Sequence, residues 1–176
     1  DAAAVYEDLI SRGVAPNHIV VAGDSGGGGL AASLMIYLHD KGVPAPAALV
    51  LFSPEVDLDF DHPSVVDNAS KDILPWSIPV TPYLHGLQPN DKRVSIMHAD
   101  PHPDWFPRTF VCWGADEMLR DGIREFVQRL RDNGIAVWAM EEYGMFDVFP
   151  ILMPWAEASK RVFRVLDRLS RRHVRS

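Results

Sequence analysis

The chain has 176 residues, of which 47% are hydrophobic and 23% charged, enough for one globular domain with a substantial core. Its net charge of −7 argues against nucleic acid as a partner, and its single cysteine, Cys112, excludes an intrachain disulfide. No apolar stretch is long enough to span a membrane. No signal peptide opens the chain, which says little in a sequence that does not start with methionine. A cytoplasmic location is expected.

Residues 1–12 carry Ala4, Val5, Leu9 and Ile10 at helical spacing and stop at Gly13. The chain enters this pattern directly at Asp1 rather than at a methionine, which points to a piece of something longer. Residues 17–23 read as a first strand, and 28–41 as a helix apolar nearly all round, through Leu30, Ala31, Leu34, Met35 and Leu38. Residues 47–52 are an unbroken apolar run, as expected of a parallel strand covered on both faces. Residues 53–107 are irregular and proline-rich, with a short helix expected near 78–86; an excursion of that length usually caps a site or carries function. Within it, Trp76 and Tyr83 read either as pocket lining or as packing. Residues 108–113 form a third strand, whose Cys112 reads as a core thiol. Residues 121–133 form an amphipathic helix with Ile123, Phe126, Val127 and Leu130 on one face, capped by Gly134. A fourth strand over 135–140 precedes a last helix over 154–169, which aligns Ala158, Val162, Val165, Leu166 and Leu169. Its arginines, Arg161, Arg164, Arg168, Arg171, Arg172 and Arg175, read as a solvated face and tail. The alternation predicts an α/β fold: a parallel sheet of about four strands with helices on both faces, residues 1–176 forming a single domain.

The junction of the first strand and the following helix carries the chemistry. Gly23-Asp24-Ser25-Gly26-Gly27 fits G-x-S-x-G, the turn that lifts a nucleophilic serine above a sheet. Glycines two residues before and after Ser25 leave room for strand and helix, and the Gly26 amide is placed to donate to a developing oxyanion. Two other readings compete. One is a glycine-rich turn with no chemistry. The other is a dinucleotide loop: Gly26-Gly27-Gly28-Gly29-Leu30-Ala31 satisfies G-x-G-x-x-A, with Glu55 after the next strand as a ribose-binding acid.

In a parallel sheet the site lies beyond the carboxyl ends of the strands. Asp116 follows the third strand, where a triad acid belongs, and the loop 141–150 follows the fourth, where a general base belongs. Four segments together resemble the hormone-sensitive-lipase-like branch of the α/β-hydrolases, which includes many bacterial carboxylesterases. Gly23-Asp24-Ser25-Gly26-Gly27-Gly28 is similar to its G-D-S-A-G-G, and Ser53-Pro54-Glu55-Val56-Asp57-Leu58 to its S-P-x-x-D-L. Gly114-Ala115-Asp116-Glu117-Met118-Leu119-Arg120-Asp121 resembles its G-x-x-D-x-L-x-D acid segment, and Gly144-Met145-Phe146-Asp147-Val148-Phe149 its G-M-x-H-x-F base segment. The resemblance implies the C-terminal part of such a fold. It implies hydrolysis of small-molecule carboxylic esters through an acyl-enzyme, with no cofactor: Ser25 as nucleophile, Gly26 as an oxyanion donor and Asp116 orienting the base.

Two departures qualify this. The branch's H-G-G-G oxyanion segment precedes its elbow, and neither that segment nor the strands before it occur in this sequence. The strand carrying Ser25 is therefore expected at a sheet edge. At the branch's histidine stands Asp147, and an ionised carboxylate does not relay a proton as imidazole does near neutral pH. A second carboxylate there is expected to repel Asp116. The alternative to an ester hydrolase is thus a non-catalytic relic that binds a partner or small ligand.

None of the seven histidines lies in the loop after the fourth strand; His62, after the second, is the nearest substitute by topology. No metal is expected. Asp57-x-Asp59-x-Asp61 imitates the start of an EF-hand loop, but His62 stands where glycine is needed and Asn68 where the last glutamate belongs. It reads as an exposed acidic loop; His98-Ala99-Asp100-Pro101-His102 has residues that could hold a metal at a surface, and that reading too is the weaker one.

Overall fold

A computed structural model describes residues 1–74 and 80–173, with side chains described as far as Asp167 and Arg168 in the last helix. Trp76 lies outside the described residues, as do Arg175 and the side chains of Leu169, Arg171 and Arg172.

Four strands pair in parallel in chain order: β1 (Val20–Asp24), β2 (Ala48–Phe52), β3 (Thr109–Gly114) and β4 (Val137–Glu142). Side chains of successive strand residues alternate between faces, and both faces are apolar. Leu49, Leu51, Val111 and Trp113 join one core with Ala31, Leu34, Met35 and Leu38 of α2 (Ser25–Asp40). That core also takes Ile123, Phe126, Val127 and Leu130 of α5 (Arg120–Asp132), and Tyr6 of α1 (Ala2–Ser11). Phe52, Phe110 and Cys112 point the other way, into a second core with Phe149 of α6 (Phe149–Leu152) and Ala158 and Val162 of α7 (Glu157–His173). Burial pushes the Cys112 thiol's pKa up, as befits a core thiol.

Several boundaries differ from the sequence reading. The chain enters β1 through a 3₁₀ turn, Pro16–His18, so the strand begins at Val20 rather than at 17. The long helix begins at Ser25, not at Gly28, and Pro54 and Glu55 lie close against Gly26, Gly28 and Gly29 of its first turns. β4 runs two residues further than expected, because its register with β3 extends to Gly114–Glu142. The last helix starts at Glu157 rather than at Pro154, after the separate turn α6. The excursion carries α3 (Pro63–Asp67), α4 (Thr81–Leu84) and a 3₁₀ turn at Ile96–His98, so it is less irregular than expected. β1 is the edge strand of the described sheet, and its Val20 is 57% exposed. Arg161, Arg164 and Arg168 are exposed, and Arg161 pairs with Glu142 on β4 at 2.5 Å.

Candidate active site

Ser25 sits where β1 becomes α2. Asp24 is extended, with φ −124° and ψ 146°, and Ser25 turns abruptly to φ +51°. An L residue reaches that left-handed region at a cost of about 1–2 kcal/mol, which surrounding structure must offset. A Cβ at Gly23 would run into the carbonyl of Gly27, so strand and helix approach as closely as glycine permits. Gly27 itself is different. A Cβ there meets nothing within 4 Å, so the second glycine of the motif is not required for room. The tight contacts fall one and two residues later: a Cβ at Gly28 would lie 2.8 Å from Pro54 Cβ, and one at Gly29 would strike the Glu55 carbonyl.

The segment after β2 therefore lies directly on the N-terminal turn of α2. The Glu55 amide donates to the Ser25 carbonyl at 3.0 Å, and the Glu55 carboxyl is near enough to Gly26 that an added Cβ would sit 3.4 Å from Oε2. Burial raises the pKa of Glu55. A carboxylate beside Gly26 opposes any anion there, a dinucleotide phosphate and an oxyanion alike, and the raised pKa of Glu55 lessens that opposition. Ser25 is half-buried and Gly26 exposed.

The loops after β2, β3 and β4 are tied together by a buried network. Ser53, at φ +44°, donates from Oγ to Glu117 Oε2 at 2.7 Å and accepts the Val148 amide at 2.9 Å. Glu117 Oε2 also accepts the Gly114 amide at 2.7 Å, while its Oε1 has no hydrogen-bond partner. Burial lifts the Glu117 carboxyl far above the carboxylate range; the Gly114 hydrogen bond opposes this, and repulsion from Asp147 adds to it. Gly114 has no room for a side chain, because a Cβ would strike the Met145 carbonyl. Val148 completes the set at φ +53°.

Asp147 is 3% exposed and its Oδ1 has no hydrogen-bond partner. Its amide donates to Asp72 Oδ1 at 3.0 Å, and Asp72 Oδ2 accepts the Met118 amide at 2.7 Å. Burial, then the charges of Asp72, Glu55 and Asp24, push the Asp147 carboxyl up to about 8. Of those neighbours, Asp24 precedes Ser25 in the chain and Glu55 bonds to its carbonyl. The repulsion expected from Asp116 comes instead from Asp72, Glu55 and Asp24. Asp116 is linked to the base loop by its backbone, donating to the Met145 carbonyl at 3.0 Å, while its half-exposed carboxylate lies 3.8 Å from Lys71 Nζ. His62 is engaged with Asp57, at 3.0 Å, rather than with Ser25. Tyr83 is 44% exposed, and burial of its ring followed by the charge of Glu55 raises its pKa.

Asp72, Glu117 and Ser53 are the residues that sequence reasoning missed. Ser53 and Glu117 stood inside quoted segments, but nothing in their spacing tells that they meet. Asp72 lies in the proline-rich excursion with no local signal.

A parallel sheet that delivers a left-handed serine into a glycine-led helix, with loops gathered beyond the ends of the following strands, has the architecture of an α/β-hydrolase. The chain belongs to that family: the family model described as the alpha/beta hydrolase fold matches residues 1–151. It is 31% identical over 169 residues to an acetyl-hydrolase of Streptomyces hygroscopicus, covering 94% of this chain and 56% of that protein. It is 30% identical to an esterase of Acinetobacter venetianus, covering 89% of this chain and 53% of that protein. Among solved structures, an esterase from the bacterial hormone-sensitive lipase family superposes with a TM-score of 0.87 at 28% identity, over 99% of this chain and 59% of its own. EstE5, soaked with p-nitrophenyl butyrate, superposes with a TM-score of 0.90 at 25% identity, over all of this chain and 60% of its own. The chain thus spans about half the length of the curated relatives it matches. Among the described residues, no helix is long and apolar enough to cross a membrane.

Proposed function

We propose that this chain carries the nucleophile, acid and base positions of a carboxylic ester hydrolase acting through a serine acyl-enzyme. Ser25 attacks the ester carbonyl, the Gly26 amide receives the oxyanion, Asp116 orients the base, and residue 147 holds the base position. The observation that carries this reading is the left-handed Ser25 at the β1–α2 junction, the strained strand-to-helix turn that a nucleophile elbow has. The relatives named esterase and acetyl-hydrolase support an ester as substrate.

A second reading has its own observation. With a carboxyl pushed up to about 8, Asp147 is largely protonated at neutral pH, so only a minor fraction is free to accept a proton from Ser25. The chain would then be a non-catalytic relic of a hydrolase, binding a small ligand or partner.

The test is made in the complete gene product, with a fluorophosphonate probe and a short p-nitrophenyl ester. Under the hydrolase reading, Asp147→His labels rapidly at Ser25 and turns over faster than the parent by a factor on the order of 10⁴–10⁶, as expected when a triad histidine is regained. Adding Ser25→Ala abolishes both. Failure of Asp147→His to label at Ser25 sinks the hydrolase reading. Ester turnover by the unaltered protein that Ser25→Ala removes sinks the relic reading.

A further inference from the structure

Away from Ser25, two imidazoles meet around one carboxylate. The Asp57 side chain is only 10% exposed, which corrects its reading as part of an exposed acidic loop. Its Oδ2 lies 3.0 Å from His62 Nε2 and its Oδ1 3.6 Å from His98 Nε2. His98 Nε2 also lies 3.4 Å from Asp59 Oδ2. His102, which the sequence placed beside His98, turns away to Asp104 at 3.2 Å.

We propose that Asp57, Asp59 and His98 form a binding site for one divalent transition-metal ion of the zinc type, with His62 holding the second oxygen of Asp57.

The distances separate two kinds of contact. The His62–Asp57 spacing is that of a hydrogen bond. The two spacings around His98 Nε2 are too long for good hydrogen bonds. They match the edge of a ligand tetrahedron, about 3.4 Å for metal–nitrogen and metal–oxygen bonds of about 2.0–2.2 Å. The Asp57, Asp59 and His98 donor atoms all lie within 4.8 Å of one another. An ion among them has three protein ligands and an open position for water. The His62 hydrogen bond to the non-ligating oxygen of Asp57 is the outer support that metal-binding carboxylates commonly receive.

The frame exists before any ion arrives. The Met97 amide donates to the Val56 carbonyl at 3.1 Å, and the Leu58 amide to Ser95 Oγ at 3.2 Å. Buried Ser95 also donates to the Val56 carbonyl at 3.1 Å. These bonds zip the Ile96–His98 turn onto 56–58 and so bring His98 to Asp57 across 41 residues of chain. On the other side, His62 packs on Gly122 of α5, where an added Cβ would stand 3.1 Å from the ring.

The donor set chooses the ion. An imidazole nitrogen with two carboxylate oxygens suits zinc, cobalt or nickel; calcium wants six to eight oxygens and takes no nitrogen. Asp61, within reach of Asp57 and His62, adds negative charge that attracts any cation but does not supply this selectivity.

The experiment uses the purified protein after chelator treatment, titrated calorimetrically with Zn²⁺ and Ca²⁺ and monitored optically with Co²⁺. The expected result is one Zn²⁺ per chain, an intense visible Co²⁺ band that Zn²⁺ bleaches, and no competition by Ca²⁺. His98→Asn and Asp59→Asn each weaken Zn²⁺ binding at least tenfold. His62→Gln weakens it by about 10–100-fold, as loss of an outer partner does. His102→Asn changes nothing. Asp59 is a surface side chain, so its variant reports even if His98→Asn fails to fold. Absence of stoichiometric Zn²⁺ binding overturns the proposal, and so does binding that Asp59→Asn leaves unchanged. Ca²⁺ binding equal to Zn²⁺ would make this a plain acidic surface and overturn it too.

Discussion

Replacing Asp147 with asparagine should stabilise the protein, and increasingly so as pH rises. A buried carboxyl pushed up to about 8 from its ordinary 3.8 keeps its proton in the folded state where the unfolded chain has lost it. The folded state then binds more protons than the unfolded one, so this group's contribution to stability falls as pH rises from about 4 to about 8. Below that window it costs nothing; above it the full cost is present. At about 1.4 kcal/mol per pH unit, the cost is about 1–2 kcal/mol at pH 5, about 4 kcal/mol at pH 7 and at most about 6 kcal/mol at pH 9. Asparagine matches the side chain in size and does not titrate. Urea unfolding of parent and Asp147→Asn at the three pH values measures the difference directly, and other titrating groups largely cancel in it. Glu117, also raised by burial and facing Asp147, relaxes slightly in the variant, which adds in the same direction. Equal stability differences at pH 5, 7 and 9 would refute the reasoning, because residue 147 would then ionise as a solvated carboxyl does.

The glycine run gives a contrast within three residues. Gly29→Ala drives a methyl into the Glu55 carbonyl and should cost about 1–3 kcal/mol, whereas Gly27→Ala enters open space in a helix and should gain about 0.5–1 kcal/mol; thermal melts of the two variants check the opposite signs. Ser53→Ala leaves the Val148 amide without its partner and should cost about 2–4 kcal/mol in urea unfolding. Ser53→Gly loses the same bonds but relieves the left-handed φ, so it should be milder than alanine by about 1 kcal/mol.

The elements that organise the sheet were legible because their signal is periodic. The alternating faces of 109–113 and the stripe Ile123, Phe126, Val127 and Leu130 are properties of adjacent residues. Ser25 and Asp147 were legible as members of ordered segments. What stayed hidden depends on contacts distant in the chain. Ser53 meets Glu117 across 64 residues, and Asp72 meets the Asp147 amide across 75. No local pattern encodes those meetings; they follow from parallel strands ending at one rim. The same holds for Asp57 and His98, whose acidic loop looked solvent-facing until the Ile96–His98 turn was laid against it. The role given to Gly27 came from the motif and not from packing, which falls instead on Gly28 and Gly29.

The bonds that shape the base loop are made by backbone amides, those of residues 147 and 148, to Asp72 and Ser53. The side chain at 147 makes none of them. The loop is therefore a socket whose framing amide bonds do not depend on the side chain it holds. Those bonds therefore do not choose the side chain at 147, although a buried carboxyl there weakens the fold as pH rises.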